Sequence, residues 1–243
     1  MYYQRKGFFD LPPVVQTLLG LNIFLFILRM IFPELVMHLA IFNYKSEFFK
    51  PFQFITHMFM HGDFWHFFFN MFALYMFGRI LEEVWGPKRF FIYYFVTGIG
   101  AALIHMTVMS VEMNILMSKM SPEKIDLVLS QGAQALLTGR NFIDPQMRDL
   151  NLMLNTPTVG ASGAIYGLLL AFGMLFPNAV IYVYFAIPMK AKYLVLIFMA
   201  IELYLGFLNK AGDNIAHFAH LGGMLFGLIF ILIWGKFDYN RWN

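Results

Sequence analysis

The chain alternates between apolar runs and shorter polar segments. A helix needs about 20 mostly apolar residues to cross the hydrocarbon core of a bilayer. Six runs approach that length, so we predict six membrane-spanning helices, at about 14–33, 65–85, 89–110, 160–177, 192–209 and 215–235. The fourth run is short. Because Gly160 and Ser162 mark its start, we expect that helix to begin below the membrane surface.

Two connecting segments are long enough to have structure of their own. Residues 34–60 are apolar but interrupted by Pro51 and scattered charges, which favours a semi-embedded interfacial loop over a seventh span. Residues 111–157 form a longer, more polar loop. In it, Ser121 and Asp144 each precede a proline, the pattern of a helix start, and we expect both helices to lie on the outer membrane surface. The sequence assigns this long loop no role.

Composition supports a membrane protein. Hydrophobic residues make up 60% of the 243 residues, whereas soluble domains are usually about 45–50% apolar. We therefore predict an all-α polytopic membrane protein in which residues 1–243 form one domain in contact with lipid. The net charge is only +3 and no basic run resembles a nucleic-acid surface, so no nucleic-acid partner is expected. The absence of cysteine excludes disulfides and thiolate metal sites.

Charge placement and the ends of the chain predict an orientation and a location. Lys and Arg are more frequent near the termini and in the even-numbered loops than in the short odd-numbered ones, which favours cytoplasmic termini. We expect no transit or sorting signal in this chain, and its size is modest. We therefore expect a multi-pass protein of a prokaryotic inner (plasma) membrane.

The first candidate for chemistry is Ser162, at the start of the fourth run. A helix N-terminus presents unpaired N–H groups and a partial positive charge, which stabilise a developing oxyanion. Gly160 and the small residues beside Ser162 leave room for a substrate backbone, and Tyr166 lies one turn further on the same face. The alternative is that these small residues only let two helices pack closely.

The second candidate is His220, in the sixth run. A serine nucleophile needs a base within hydrogen-bond reach, and histidine is the usual one near neutral pH. Gly223 and Gly227 follow it at three and seven positions, so a small-residue stripe can press this helix against the fourth. His217 could share that face, but the stripe makes His220 the better candidate. The alternative is a histidine that only bonds a neighbouring helix.

A third group lies in and before the second run. His66 and Asn70 are four residues apart and share one helical face, and His61 precedes them by about a turn. The Asn70 amide or the His66 ring could donate to an oxyanion. The alternative is that these residues form structural hydrogen bonds between helices. Polar groups inside membrane spans are costly and usually functional. Here they occur in three spans, since Ser162 and His220 lie in two others, which favours a functional role for the group.

Together these residues resemble the rhomboid intramembrane serine proteases. The resemblance rests on Gly160-x-Ser162 with Tyr166 four residues on, on Ala219-His220-x-x-Gly223-x-x-x-Gly227, and on His61-x4-His66-x3-Asn70. It covers a six-span core of about 14–33 and 57–235, apart from the long loop. It implies a six-helix bundle with an interfacial loop between spans one and two.

The resemblance also implies roles for these residues. Ser162 is expected to be the nucleophile and His220 the general base of a dyad without an acidic member. Tyr166 is expected to stack on the His220 ring. His66 and Asn70 are expected to stabilise the oxyanion, in a water-filled cavity that His61 also lines. The small-residue stripe of span six would pack on span four.

The expected activity is that of a serine endopeptidase without cofactor or metal. Its substrates would be other proteins' transmembrane segments, admitted by a lateral gate of spans two and five with the loop at 208–214. One departure is Phe52-Gln53, where the family commonly has an aromatic-Arg pair. Glu202, in span five, has two possible explanations: it reaches the outer interface, or it bonds within the bundle.

Two other classes of function compete with this interpretation. His57/His61 and His217/His220 have spacings typical of metal ligands, but no acidic base stands beside them as in zinc hydrolases. The other alternative is a catalytically inactive rhomboid-like scaffold or binding protein. A transporter is disfavoured because the chain has no pair of interrupted spans in two halves.

Overall fold

Helices dominate the part of the chain that the computed structural model describes, residues 10–183, 186–208 and 216–238. Four of the helices in these ranges are long and apolar enough to cross a membrane: α1 Pro13–Ile31, α6 Pro87–Met117, α10 Ala191–Leu208 and α11 His217–Asp238. The others are α2 Leu35–Leu39, α3 Gln53–Thr56, α4 Phe64–Ala73, α5 Arg79–Trp85, α7 Pro122–Leu137, α8 Pro145–Asn155 and the short apolar α9 Ser162–Leu175. The protein is therefore a mostly helical membrane protein.

The second predicted span consists of α4 and α5, joined by a single π-helical stretch at Leu74–Gly78. Near its end, the carboxylate of Glu82 is buried and accepts hydrogen bonds from Val14 N at 2.9 Å and Val15 N at 2.8 Å. These two N–H groups belong to the first turn of α1 and have no carbonyl of their own helix to bond. Glu82 therefore caps a distant helix, a role that the sequence did not predict.

Helix α6 extends beyond the third predicted span. We expected residues 89–110, but α6 has 31 residues, which at about 1.5 Å per residue exceeds a hydrocarbon thickness of about 30 Å. The prediction ended before Glu112, but the residues around this acid are apolar and continue the helix. The extension packs against α7 and α8 through a separate core of Met113, Val128, Met147, Leu150 and Leu154.

The two helices of the long loop begin where their prolines predicted. Asp144 caps α8 by accepting from Gln146 N and Met147 N, whereas Ser121 precedes α7 without such a side-chain bond. The Lys124 ammonium, 2.5 Å from the Asp144 carboxylate, is the main reason that the pKa of Asp144 is lowered.

α9 lies at the centre of the bundle, with most of its residues buried between α6, α10 and α11. Small residues make these contacts close. A Cβ added to Gly163 would lie 2.4 Å from Ala101 Cβ on α6, and one on Gly223 of α11 would lie 1.9 Å from the Gly163 carbonyl oxygen. Dense packing of backbones, rather than large side chains, therefore sets the distance between α9 and α11.

An exclusively helical chain was the wrong prediction for the segment between α9 and α10. Strands β1 Val180–Val183 and β2 Ile187–Lys190 pair there as an antiparallel hairpin. The β-branched and aromatic side chains of β1 favour a strand. So short a strand gives a weak signal beside long apolar runs.

Candidate active site

Ser162 is the first residue of α9 and is half-buried. The chain before it is held by two contacts to the loop between α1 and α4. Thr158 and Ile41 exchange backbone hydrogen bonds of 2.8 and 3.0 Å, and Gly160 N donates to His57 O at 2.9 Å. Gly160 has a φ of +128°, which side-chain-bearing residues rarely adopt. This turn delivers the serine to the N-terminus of α9, where its backbone N–H has no carbonyl partner within the helix.

His220, in the first turn of α11, lies directly against this serine. Its Nε2 is 2.9 Å from Ser162 Oγ, which is hydrogen-bond distance. The imidazole is stacked on the Tyr166 ring, with centroids 4.1 Å apart and planes inclined by 7°. The structure therefore brings together the three residues that the sequence singled out in two separate spans.

Of the two glycines that follow His220, one contacts α9 close to the serine and the other lies deeper. Gly223 faces the carbonyl of Gly163, the neighbour of Ser162. Gly227 faces the Tyr93 hydroxyl of α6, where an added Cβ would lie 2.4 Å from the oxygen, and also approaches Gly167. Both glycines thus serve close helix packing.

His66 and Asn70 lie on α4, on the other side of Ser162. The His66 ring faces the turn before the serine, since a Cβ on Gly160 would lie 2.8 Å from its Nε2. Asn70 is buried and donates from Nδ2 to His66 O at 2.7 Å, which leaves its second amide hydrogen for another acceptor. Asp63 caps α4 by accepting from His66 N at 2.9 Å.

His61 is buried, with its ring edge-on to His66 at 5.3 Å between centroids. Neither of its ring nitrogens has a hydrogen-bond partner among the described residues. Burial, followed by the nearby charge of His66, lowers the pKa of His61 to about 3. The ring is therefore neutral at physiological pH. His57 lies elsewhere, with Nδ1 2.8 Å from the Gln53 carbonyl.

Gln53, where the resemblance led us to expect an arginine, is fully buried. Its Oε1 accepts from Lys50 N at 3.0 Å, and its Nε2 donates to His38 O at 3.2 Å and Phe48 O at 3.0 Å. It thereby ties together the loop between α1 and α4. Backbone groups therefore satisfy this neutral side chain. In the same loop, the His57 carbonyl oxygen accepts the hydrogen bond from Gly160 N.

Glu202 is the site residue whose position the sequence left open, and it bonds within the bundle. Its carboxylate is 5% exposed and touches three side chains. Tyr166 donates its hydroxyl to Oε1, His217 Nδ1 lies 2.6 Å from Oε2, and His220 Nδ1 lies 3.0 Å from Oε1. The contact between His220 Nδ1 and Oε1 does not have the geometry of a straight hydrogen bond. His220 Nδ1 has no hydrogen-bond partner among the described residues.

The same three residues, Glu202, His217 and His220, offer ligand atoms within 4.8 Å of one another, as a metal site would. The separation of 2.6 Å between His217 Nδ1 and the carboxylate is, however, that of a strong hydrogen bond. The group is therefore accounted for as a hydrogen-bonded cluster. The expected gate loop is described only in part, since residues 209–215, with Gly212 and Asp213, lie outside the described ranges.

Residues 49–237 match the model of the Rhomboid domain. Two relatives are "RHOMBOID-like protein 12, mitochondrial" of Arabidopsis thaliana and "Rhomboid protein 1, mitochondrial" of Saccharomyces cerevisiae. The chain is 26% identical to the first over 83% of its own length and 28% identical to the second over 71%.

The chain spans 50% of the length of the plant protein and 38% of the yeast protein. Both relatives carry mitochondrial names, so they give no support to the predicted prokaryotic plasma membrane. The family match covers the dyad, the oxyanion candidates and every helix from α4 to the body of α11. The chain belongs to the rhomboid family.

Proposed function

We propose that the protein is an intramembrane serine endopeptidase that hydrolyses peptide bonds in or near transmembrane segments of other membrane proteins. The observation that carries the proposal is the 2.9 Å approach of His220 Nε2 to Ser162 Oγ. A nucleophile and a base from different helices meet at hydrogen-bond distance, in an apolar bundle where either one alone would be costly. The family match supports the same function.

The reaction follows the acyl-transfer sequence of serine hydrolases. Ser162 Oγ attacks the substrate carbonyl carbon while its proton passes to His220 Nε2. The resulting imidazolium protonates the leaving amine, and the acyl group remains as an ester on Ser162. A water molecule then gives a proton to His220 and its oxygen to the ester carbonyl, and collapse of the intermediate returns the proton to Ser162.

The oxyanion would form between α4 and the start of α9. The Ser162 N–H lies at the helix N-terminus, the His66 ring faces the turn before it, and Asn70 on the same helix as His66 has a second amide hydrogen that could donate as well. The stacked Tyr166 ring restricts rotation of the imidazole. These groups are oriented before substrate arrives, which is the main requirement for electrostatic stabilisation of a transition state.

The substrate would be a transmembrane helix that unwinds at the cleavage site, since a regular helix hides its carbonyls. We propose six crossings, formed by α1, α4 with α5, α6, α9, α10 and α11, with both termini on the cytoplasmic side. Ser162 and His66 are half-buried, and we propose that water reaches them from the face that carries the loop between α1 and α4. The compartment is a separate question, because both named relatives are mitochondrial.

A fluorophosphonate probe and a transmembrane reporter substrate test the proposal together. We expect the purified protein to be labelled and to cleave the reporter, and Ser162→Ala and His220→Ala to lose both activities. Ser110→Ala is the matched control, because among the described residues Ser110 bonds only the Met106 carbonyl of its own helix. Wild-type protein that is folded but neither labelled nor active would identify a scaffold instead. Cleavage that a chelator abolishes would favour a metal enzyme.

A further inference from the structure

The carboxylate of Glu202 is buried at the junction of three helices. It comes from α10, contacts Tyr166 of α9, and contacts His217 and His220 of α11. A carboxylate has only acceptor sites, and here donor groups of α9 and α11 contact both of its oxygens. This arrangement favours the charged form, which accepts several hydrogen bonds at once.

The position of Glu202 is fixed by the packing of α10. Val195 lies two turns before it on the same face, and a Cβ on Gly173 of α9 would lie 2.5 Å from a Val195 methyl group. Gly206 lies one turn after it, and a Cβ there would lie 3.3 Å from the Phe218 ring of α11. Because close contacts flank Glu202 on both sides, its side chain is directed into the bundle.

The carboxylate favours one tautomer of His220. Its oxygen lies 3.0 Å from Nδ1, although not in line for a straight hydrogen bond, and this negative charge favours a hydrogen on Nδ1, so that the lone pair of the neutral ring resides on Nε2, which faces Ser162 Oγ. That tautomer is the one that can accept the serine proton. His217 uses its own Nδ1 hydrogen on the other carboxylate oxygen and holds the acid in place.

We propose that Glu202 is a positioning residue that completes a Ser162–His220–Glu202 triad, with His217 and Tyr166 orienting the carboxylate. The inference rests on the proposed function. When Nε2 takes the serine proton, His220 becomes an imidazolium, Nδ1 retains its hydrogen, and Glu202 remains an anion. The positive charge that appears in the bundle is thus balanced by a negative charge already present.

Conservative substitutions at Glu202 distinguish the effect of its negative charge from the effect of its size. Glu202→Gln preserves volume and removes the charge, whereas Glu202→Asp keeps the charge but shortens the side chain. The triad predicts kcat in the order wild type, Asp, Gln, with the Gln variant reduced by about 100-fold. A purely structural glutamate predicts the reverse order for the two variants, because Gln fills the same space. KM for the reporter should stay within about twofold, since the carboxylate acts on the transition state.

Glu82→Gln is the matched control. It neutralises another buried glutamate of the bundle, whose partners are the backbone N–H groups of Val14 and Val15 rather than any residue of the site. We expect it to lower stability while kcat is retained. Rates of fluorophosphonate labelling, normalised to folded protein, give a second readout of the serine in all three variants.

The outcomes distinguish this inference from the proposed function. If wild type cleaves, Ser162→Ala does not, and Glu202→Gln cleaves at least as fast as Glu202→Asp, the triad is refuted and the dyad stands. If wild type neither cleaves nor labels, the proposed function itself fails. If the Glu202→Gln variant does not fold, the Glu202→Asp variant decides between the two interpretations. A kcat at least about threefold below that of wild type, with unchanged KM and unchanged unfolding midpoint, supports the triad. A kcat equal to that of wild type refutes it.

Discussion

The contact between Gly223 and Gly163 should control the geometry of the dyad. Each glycine is three residues or fewer from a dyad member on its own helix, Gly223 from His220 and Gly163 from Ser162. A methyl group at residue 223 would lie 1.9 Å from the Gly163 carbonyl oxygen and 2.8 Å from its carbon. These are backbone atoms, so no side-chain rotation relieves the clash. Gly223→Ala must therefore push α11 away from α9.

The size of that displacement follows from the distances. Restoring an ordinary contact of about 3.4 Å requires the backbones to separate by about 1.5 Å. If His220 moves with its helix, Nε2 recedes from Ser162 Oγ from 2.9 Å to about 4 Å, beyond hydrogen-bond range. Losing the general base should lower kcat by roughly 10²- to 10⁴-fold. The overpacking should also cost about 1–3 kcal/mol of stability.

Cleavage of a transmembrane reporter and fluorophosphonate labelling measure the first effect, and unfolding in a denaturing detergent measures the second. Gly20→Ala is the control, because Gly20 lies on the exposed face of α1 and no atom of the described residues lies within 4 Å of an added Cβ. It should leave activity unchanged. A folded Gly223→Ala variant with wild-type kcat would refute the argument, since it would mean that α9 and α11 do not fix the dyad distance.

Three further changes test other parts of the molecule. Asn70→Ala should cost roughly 2.7–4 kcal/mol of transition-state stabilisation and leave measurable reporter cleavage, whereas complete loss or no change would contradict an oxyanion donor. Glu82→Ala should lower the free energy of unfolding by about 2–4 kcal/mol, because two N–H groups of α1 lose their acceptor; an unchanged midpoint in detergent unfolding would argue against this cap. In this cysteine-free chain, a Gly173→Cys, Val195→Cys pair starts from Cβ positions 3.3 Å apart, near disulfide geometry. The oxidised pair should keep fluorophosphonate labelling but lose cleavage of transmembrane substrates; full cleavage after oxidation would exclude α10 as a gate.

Much of the site could be predicted because local rules and packing rules agree there. The four-residue spacing of Ser162 and Tyr166 fixes a shared face within one helix. The small residues beside Ser162 and after His220 indicate which faces of two helices can meet. Those two rules are sufficient to bring the serine, the tyrosine and the histidine together.

Glu202 and Glu82 could not be placed in the same way. An acid inside a span signals a function or a partner, but the sequence does not give the rotation of α10 about its axis or the neighbours it will have. The partners of Glu82 are backbone N–H groups 67 and 68 residues away, which have no side-chain signature at all. The C-terminal end of α6 was missed for a simpler reason, since Glu112 interrupts an apolar run that continues beyond it.

A triad that includes Glu202 would couple substrate entry to chemistry. The rhomboid resemblance assigns span five, here α10, to the lateral gate, and the same helix carries the carboxylate that orients His220. A movement of α10 by about 1 Å at residue 202 would extend the 3.0 Å contact beyond hydrogen-bond range. The substrate would then enter while α10 is displaced, and Ser162 would transfer its proton to His220 only after α10 has packed again. Holding α10 closed should therefore slow only the cleavage of substrates that enter from the bilayer, whereas Glu202→Gln should slow every reaction of Ser162, including that with a small probe.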